Sequence, residues 1–226
     1  MSMKAKLIVQ SVLFFVLAFA FLFLPAGTLD FWEAWAYLGI IFIPMVVFTA
    51  YYYKRDPQLV RRRMQYRERV KEQKWIMRIG TIVTVGGTVI PGLDHRFGWT
   101  RKFFGGVPLW LEISALSIAL AGYLETMWVM DVNRFAARTI QVEEGQKLIS
   151  TGPYGVVRHP LYAGGVLMWL ASAPALGSYL ALPFFLLLIP TFVLRILNEE
   201  SVLRQELPGY PEYCERVQYR LVPHVW

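Results

Sequence analysis

The sequence predicts an all-α integral membrane protein with about six transmembrane helices. Hydrophobic residues make up 56% of the 226-residue chain, whereas soluble domains average about 45–50%. They gather in runs of about twenty residues, the length that a helix needs to cross roughly 30 Å of hydrocarbon. The 8 Trp and 12 Tyr residues often lie near the ends of these runs, as in the aromatic belts of membrane interfaces.

Four apolar runs in the first 130 residues are predicted to span the membrane, namely residues 7–24, 31–53, 75–93 and 108–130. The first run follows Lys4 and Lys6, as the apolar part of a signal peptide would. It is nearer twenty residues than ten, so we expect it to be retained as a span. Between the spans, we expect residues 56–74 to form an interfacial amphipathic helix and residues 94–106 to form a polar loop.

Positive charge is concentrated between the second and third predicted spans, on Lys54, Arg55, Arg61, Arg62, Arg63, Arg67, Arg69, Lys71 and Lys74. By the positive-inside rule this connection faces the cytoplasm, which places both termini on the cytoplasmic side. Attraction to anionic membrane lipids is the expected secondary effect. The net charge of +7 is not expected to bind nucleic acid, because no soluble basic domain with interleaved aromatic residues accompanies it.

Hydrophobicity falls after residue 130 and then returns in two shorter runs. Residues 131–158 are polar, with two short extended segments predicted around a turn at Glu144-Gly145. Residues 161–176 and 179–197 are predicted to form a helical hairpin, because the small residues of the first arm allow close helix approach. A charged tail follows, in which Pro208-Gly209 should stop a helix.

We expect one membrane domain over residues 1–226. Within it, residues 1–130 would form a four-span scaffold, and residues 131–226 would form the catalytic part with the hairpin and the cytosolic tail. The chain shows neither an internal repeat nor a low-complexity linker that would separate further units.

Charged residues at the two ends of the predicted hairpin share the cytoplasmic face in this topology. The proline of Arg158-His159-Pro160 disfavours a helix at His159 and can begin the next one, whose entrance attracts a carboxylate. Arg195 and Glu199 are four residues apart on one helical face, where they can pair or hold the same ligand. Either motif alone is compatible with simple anchoring at the interface. Together they favour a functional site.

Several other kinds of site are not expected. The three histidines, at positions 95, 159 and 224, are far apart, and Cys214 is the single cysteine, so no metal site is predicted. The sequence also lacks a glycine-rich dinucleotide fingerprint between a strand and a helix, and it lacks a Gly-x-Ser-x-Gly nucleophile elbow.

Four motifs in the C-terminal part resemble the isoprenylcysteine carboxyl methyltransferase family. They are Leu148-Ile-Ser-Thr-Gly-Pro-Tyr154, Arg158-His-Pro-x-Tyr-x-Gly164, Arg195-x3-Glu-Glu200 and Gly209-Tyr-x2-Tyr213. More broadly, they are similar to the membrane methyltransferases that include phospholipid N-methyltransferases. The resemblance covers residues from about 140 to 222, and the first four spans match nothing in particular.

The resemblance implies a membrane enzyme that uses S-adenosylmethionine, held in a small cytosolic region, with a lipidic or amphiphilic substrate entering from the bilayer. Carried over by position, the residues that would contact the cofactor are Gln146, Lys147, Leu148, Ile149, Tyr154, His159, Pro160, Leu161, Tyr162 and Glu199. The resemblance gives catalytic roles to Glu199 and to Arg195, which would face the substrate, with Glu200 as a weaker candidate. The family often has a histidine at position 146, so no side-chain role is assigned to Gln146.

The residues do not determine which chemical group of the substrate accepts the methyl group. A carboxylate is ionised at neutral pH and needs only alignment, which a bidentate grip by Arg195 would supply. An amine would first have to lose a proton, and Glu199 or Glu200 is then a candidate base. The resemblance points most directly to O-methylation of an isoprenylcysteine-type carboxylate, with phospholipids, small thiols and isoprenoid acids as alternatives.

Two further function classes are compatible with the sequence. Membrane reductases of the sterol type carry a similar Arg-His-Pro-x-Tyr-x-Gly motif and use NADPH, but Gly152-Pro153-Tyr154 and the compact Arg-x3-Glu-Glu favour a methyltransferase. A non-enzymatic transport or assembly factor would bind neither cofactor. We expect a bacterial or archaeal cell membrane as the location, and the sequence does not indicate an oligomeric state.

Overall fold

The computed structural model describes residues 2–63, 71–135 and 146–226, without the side chains of residues 62, 63, 71 and 72. Within these ranges all regular structure is helical, which confirms the predicted all-α class. The helices are α1 (Met3–Ala26), α2 (Trp32–Arg55), α3 (Pro57–Arg63), α4 (Lys71–Phe97), α5 (Trp99–Phe104), α6 (Leu109–Val132), α7 (Pro160–Ala175), α8 (Leu182–Leu186), α9 (Leu188–Glu206) and α10 (Tyr210–Arg216). Short 3-10 turns occupy Gly152–Gly155 and Tyr179–Ala181.

Five segments within the described ranges are long and apolar enough to cross a membrane: Met3–Ala26, Trp32–Arg55, Gln73–Phe97, Leu109–Val132 and Tyr179–Glu206. They support an integral membrane protein. The sixth predicted segment is α7, whose 16 residues are fewer than the roughly 20 that a full crossing needs. It forms the short arm of the predicted hairpin, and Gly177 turns the chain with a φ of +67°.

The second arm of the hairpin differs from the prediction in two ways. It is divided at Leu187 into α8 and α9, because Pro190 has no N–H to donate to the preceding turn. It also continues nine residues beyond the predicted end at residue 197 and stops at Glu206, where only Leu207 separates it from Pro208-Gly209. The extension keeps Glu199 and Glu200 on a regular helix, whereas a flexible tail would not fix their positions.

The prediction of a polar loop over residues 94–106 is wrong. Helix α4 continues to Phe97, and α5 follows after a single residue, Gly98, with a φ of +64°. Asp94 makes this possible, because it is only 3% exposed and its Oδ1 accepts the backbone N–H of Thr100 at 2.7 Å. Its Oδ2 accepts the Ser178 hydroxyl at 2.5 Å. The polar residues therefore join the end of α4 to the turn of the hairpin.

Two predicted elements extend beyond the described residues. Helix α3 accounts for the first part of the interfacial helix predicted over residues 56–74, and residues 64–70 lie outside the description. The predicted turn at Glu144-Gly145 falls in the second gap, residues 136–145. Residues 146–148, which were predicted to form the second extended segment, are not in a strand.

Close packing of α6 on α7 joins the predicted scaffold to the predicted catalytic part. The shared core includes Leu22 of α1, Tyr37 of α2, Ala119 of α6 and Ala171 of α7. The Tyr37 hydroxyl lies 2.7 Å from the Ser172 hydroxyl, which satisfies two polar groups within this core. Helix α7 is thus held firmly against the longer spans, and its N-terminus is fixed in position.

Candidate active site

The N-terminus of α7 meets the segment after α10 through the backbone. The N–H groups of Arg158 and His159 donate to the carbonyl oxygens of Tyr219 and Arg220, both at 2.9 Å. Pro160 occupies the first helical position, where its missing N–H costs nothing. His159 is the residue before this proline and has a non-helical φ of −125°. The residues just before α7 are therefore non-helical, and they pair with the segment that follows α10.

Glu200 is the centre of a buried ionic cluster at this end of the protein. Its Oε1 accepts from Arg158 Nε at 2.7 Å and lies 3.3 Å from His159 Nε2, and its Oε2 accepts from Arg220 Nε at 3.0 Å. Arg158 also donates through Nη1 to the carbonyl oxygens of Val217 (2.8 Å) and Gln218 (2.9 Å). Both carboxylate oxygens are engaged, so Glu200 anchors two chain segments to α9, the entrance of α7 and the tail.

Glu199 belongs to a second hydrogen-bonded series beside this cluster. The Tyr162 hydroxyl donates to Glu199 Oε2 at 2.8 Å and accepts from Arg195 Nε at 2.8 Å. Arg195 Nη1 in turn donates to Gln73 Oε1 at 3.4 Å. The spacing of Arg195 and Glu199 predicted that they would pair or share a ligand. The structure connects them through the Tyr162 hydroxyl of the neighbouring helix.

A cleft of about 840 Å³, including its open mouth, lies between α7, α9, α10 and residues 146–149. Its wall contains every predicted cofactor-contacting residue except Pro160: Gln146, Lys147, Leu148, Ile149, Tyr154, His159, Leu161, Tyr162 and Glu199. Pro160 is fully buried and contributes by starting α7. Arg195 is not part of the wall and connects to it through Tyr162.

Sequence reasoning missed several residues of this wall, namely Asn133, Phe135, Arg158, Val202, Leu203, Leu207, Tyr210 and Tyr213. Helical spacing from Glu199 could have found Val202 and Leu203, which lie three and four residues further along the same face. Tyr210 and Tyr213 stand in a motif that was noticed but given no role. Nothing in the sequence pattern marked Gln73 as a site residue, because it is a single polar residue between a basic connection and an apolar span.

The two tyrosines of α10 differ in their hydrogen bonding. The Tyr213 hydroxyl donates to the Tyr154 carbonyl oxygen at 2.7 Å, and the Tyr154 hydroxyl accepts from Asn133 Nδ2 at 3.0 Å. The Tyr210 hydroxyl is buried at the cleft and meets no hydrogen-bond partner among the described residues. Burial raises the pKa of both α10 hydroxyls above the usual value. Both therefore keep their protons at neutral pH, and the Tyr210 hydroxyl is available to donate to a ligand.

The cleft combines an apolar wall with a few polar groups of defined character. Leu148, Ile149 and Leu161 offer surface for a flat or aliphatic ligand group. The Glu199 carboxylate can accept hydrogen bonds from a ligand or balance a positive charge, and the Tyr210 hydroxyl can donate to one. Arg195 adds a fixed cation next to Tyr162. The arrangement suits an amphiphilic ligand with both positive and hydrogen-bonding groups.

Comparison with known proteins relates this site to membrane methyltransferases. Residues 110–208, which include α6 to α9 with Arg195, Glu199 and Glu200, match the family model described as phospholipid methyltransferase. A stretch of 91 residues is 36% identical to the Delta(14)-sterol reductase of Mus musculus, and it covers 39% of this chain and 22% of that protein. The chain thus spans about a fifth of the length of this curated relative. The family match supports a membrane methyltransferase, and the part of the chain that carries the candidate site is similar to the phospholipid methyltransferases.

Proposed function

We propose that this protein is an S-adenosylmethionine-dependent methyltransferase that acts on a lipidic or amphiphilic substrate. The reaction that fits its residues best is O-methylation of a carboxylate of the isoprenylcysteine type. The observation that carries the proposal is the series from Arg195 through Tyr162 to Glu199 at the edge of a cleft walled by the predicted cofactor residues. The series joins a cation suited to an acidic substrate with a carboxylate suited to a cationic cofactor.

The residues present fit S-adenosylmethionine. This molecule combines a flat aromatic adenine ring, a ribose with hydroxyl groups and a methionine end with an ammonium, a carboxylate and a sulfonium. Leu148, Ile149 and Leu161 would cover the adenine ring, and Glu199 would hold a positive or hydrogen-bond-donating group. The Tyr210 hydroxyl, buried without a partner among the described residues, would donate to an acceptor of the cofactor.

Bound S-adenosylmethionine supplies an electrophilic methyl group on a sulfonium; the methyl–sulfur bond breaks as a methyl–oxygen bond forms, and S-adenosylhomocysteine leaves. Arg195 would orient the acceptor carboxylate, and the Tyr162 hydroxyl would hold the Arg195 side chain in place. A carboxylate acceptor is ionised at neutral pH, so this chain need not provide a general base. Glu200 is already bound to two arginines and a histidine, which makes it poorly placed to act as one.

Two alternatives share parts of this site. The family match favours a phospholipid as acceptor, and a small thiol would also react without a strong base once ionised. The partial identity with the mouse Delta(14)-sterol reductase is the observation behind the second alternative, a membrane reductase, which we would expect to use NADPH. The reductase alternative has weaker support, because the matched stretch covers only 22% of that protein.

Calorimetry of the detergent-purified protein separates the two enzyme classes. The proposal expects binding of S-adenosylhomocysteine and no binding of NADPH, and the reverse result would replace the methyltransferase with a reductase. Binding of neither cofactor would favour a non-enzymatic role. A second assay incubates the protein with methyl-labelled S-adenosylmethionine and three acceptors: an S-prenylated cysteine, its carboxamide and a phosphatidylethanolamine. Label on the first acceptor alone supports carboxyl methylation.

A further inference from the structure

Gln73 is a polar side chain buried where the third span begins. It is the first residue of the candidate span Gln73–Phe97, and its exposed fraction is 0%. Long polar side chains at the end of a span usually extend toward the headgroups and water. The Gln73 side chain instead contacts Arg195 of α9, through Oε1 and Nη1 at 3.4 Å. Helix α4 therefore brings a polar group to the arginine expected to hold the substrate.

The hydrogen-bonding partners fix the orientation of the Gln73 amide. A guanidinium group only donates hydrogen bonds, so the oxygen of the amide must face Arg195. The opposite orientation would place N–H groups against N–H groups. The amide nitrogen, on the same carbon as Oε1, therefore makes no hydrogen bond to Arg195, and it is buried without an acceptor in the described part of the chain. A buried donor of this kind is destabilising unless another molecule supplies the acceptor.

We propose that Gln73 is a substrate-binding residue whose amide N–H donates to an oxygen of the acceptor headgroup held by Arg195. This inference rests on the proposed function and narrows it. Two donors next to each other bind an oxyanion and do not bind an ammonium, so the substrate carries a carboxylate or phosphate at its polar end.

The proposal also assigns a role to the helices outside the matched family region. Residue 73 lies before the stretch 110–208 that matches the phospholipid methyltransferase model. Helix α4 packs along α9, which carries Arg195, so the third span contributes a group to the same site. Residues before the matched region would then help to select the headgroup, while the cleft proposed for the cofactor lies mainly within the matched region.

Steady-state kinetics of two variants test this role. Gln73→Met keeps the size of the side chain and removes both hydrogen-bonding groups. Gln73→Glu keeps an acceptor for Arg195 and replaces the amide donor with a second oxygen. With an S-prenylated cysteine as acceptor, we expect both variants to raise KM about tenfold, the effect of losing one hydrogen bond to a charged group. The affinity for S-adenosylhomocysteine and the melting temperature without acceptor should not change. Gln205→Met, at an exposed position of α9, is the matched control.

The possible results lead to distinct conclusions. An unchanged KM in both variants overturns the inference and leaves the methyltransferase intact. A parallel loss of S-adenosylhomocysteine affinity and thermal stability also overturns it, since this would indicate a structural role for Gln73. If Gln73→Met does not fold, Gln73→Glu alone decides, because its carboxylate can still accept from Arg195. A wild-type protein that binds no S-adenosylhomocysteine overturns the proposed function together with the inference.

Discussion

Gly122 of α6 and Gly164 of α7 lie against each other with no room for a side chain on either. A Cβ atom on Gly122 would lie 2.6 Å from the Gly164 carbonyl oxygen, and a Cβ atom on Gly164 would lie 2.6 Å from the Gly122 carbonyl oxygen. Both obstacles are backbone atoms of a neighbouring helix, so neither can turn aside. Gly164 is only five residues after His159. This contact therefore determines the positions of His159 and Tyr162 in the wall of the cleft.

Gly164→Ala should therefore destabilise the protein and disturb the cleft. Overpacking at a backbone contact costs roughly 1–3 kcal/mol, and separation of α6 and α7 would move His159 and Tyr162. We expect a lower melting temperature in detergent and weaker S-adenosylhomocysteine binding. Gly165→Ala is the matched control, because within the described ranges a Cβ atom there would meet only the Phe192 ring, at 3.9 Å. Equal stability of the two variants would contradict the packing argument.

Glu200→Gln should destabilise the fold more than any neutral substitution on the exposed face of α9. It leaves Arg158, which is 6% exposed, beside a neutral amide, and a buried charge without its counter-ion costs about 3–5 kcal/mol. The measurement is the free energy of unfolding in mixed micelles. Glu206→Gln, on the exposed part of the same helix, should change it by less than about 0.5 kcal/mol. A small effect at both positions would mean that Glu200 does not anchor the tail.

Tyr213→Phe should lower stability, whereas Tyr210→Phe should weaken cofactor binding without lowering stability. Tyr213→Phe removes the hydrogen bond to the Tyr154 carbonyl oxygen and should lower stability by about 1 kcal/mol. Tyr210→Phe removes a hydroxyl that has no partner among the described residues, so the stability of the cofactor-free protein should not fall. It should weaken S-adenosylhomocysteine binding by roughly three- to tenfold. Unchanged affinity would remove Tyr210 from the cofactor site.

Glu199→Ala and Arg195→Ala should separate cofactor binding from turnover. Loss of the Glu199 carboxylate should weaken S-adenosylhomocysteine binding about tenfold or more, because a charged acceptor of the cofactor is lost. Arg195→Ala should lower kcat about a hundredfold through poor alignment of the acceptor, while the cofactor affinity remains. Arg195→Lys should restore little, since an ammonium cannot make a bidentate contact. Wild-type methyl transfer by both folded alanine variants would show that the site is assigned to the wrong residues.

Hydropathy and motif spacing predicted the membrane helices well, and most errors concern polar residues with buried partners. The helical class and the hairpin follow from the length of the apolar runs. Residues 94–106 were expected to form a loop because they are polar, but Asp94 is buried against Thr100 and Ser178. These partners are distant in sequence, and hydropathy depends on neighbours along the chain only.

The same limitation applies to the candidate site. Sequence motifs brought Tyr154, His159, Tyr162 and Glu199 into one hypothesis, and all four line one cleft. The link from Tyr162 to both Glu199 and Arg195 could not be predicted, because it depends on how α7 crosses α9. Gln73 is 122 residues away from Arg195 in the chain, so no local pattern connects the two.

The pairing of residues 158 and 159 with residues 219 and 220 also determines an order of events during biosynthesis. The chain emerges from the ribosome in sequence order, so the pairing can form only after the hairpin of α7 to α9 has been synthesised. A nascent chain that extends only to Glu206 already contains the five described segments able to cross the membrane. It still lacks Arg220, one of the cations that hold Glu200. The ionic cluster around Glu200 can therefore be completed only after all five of these segments have been synthesised.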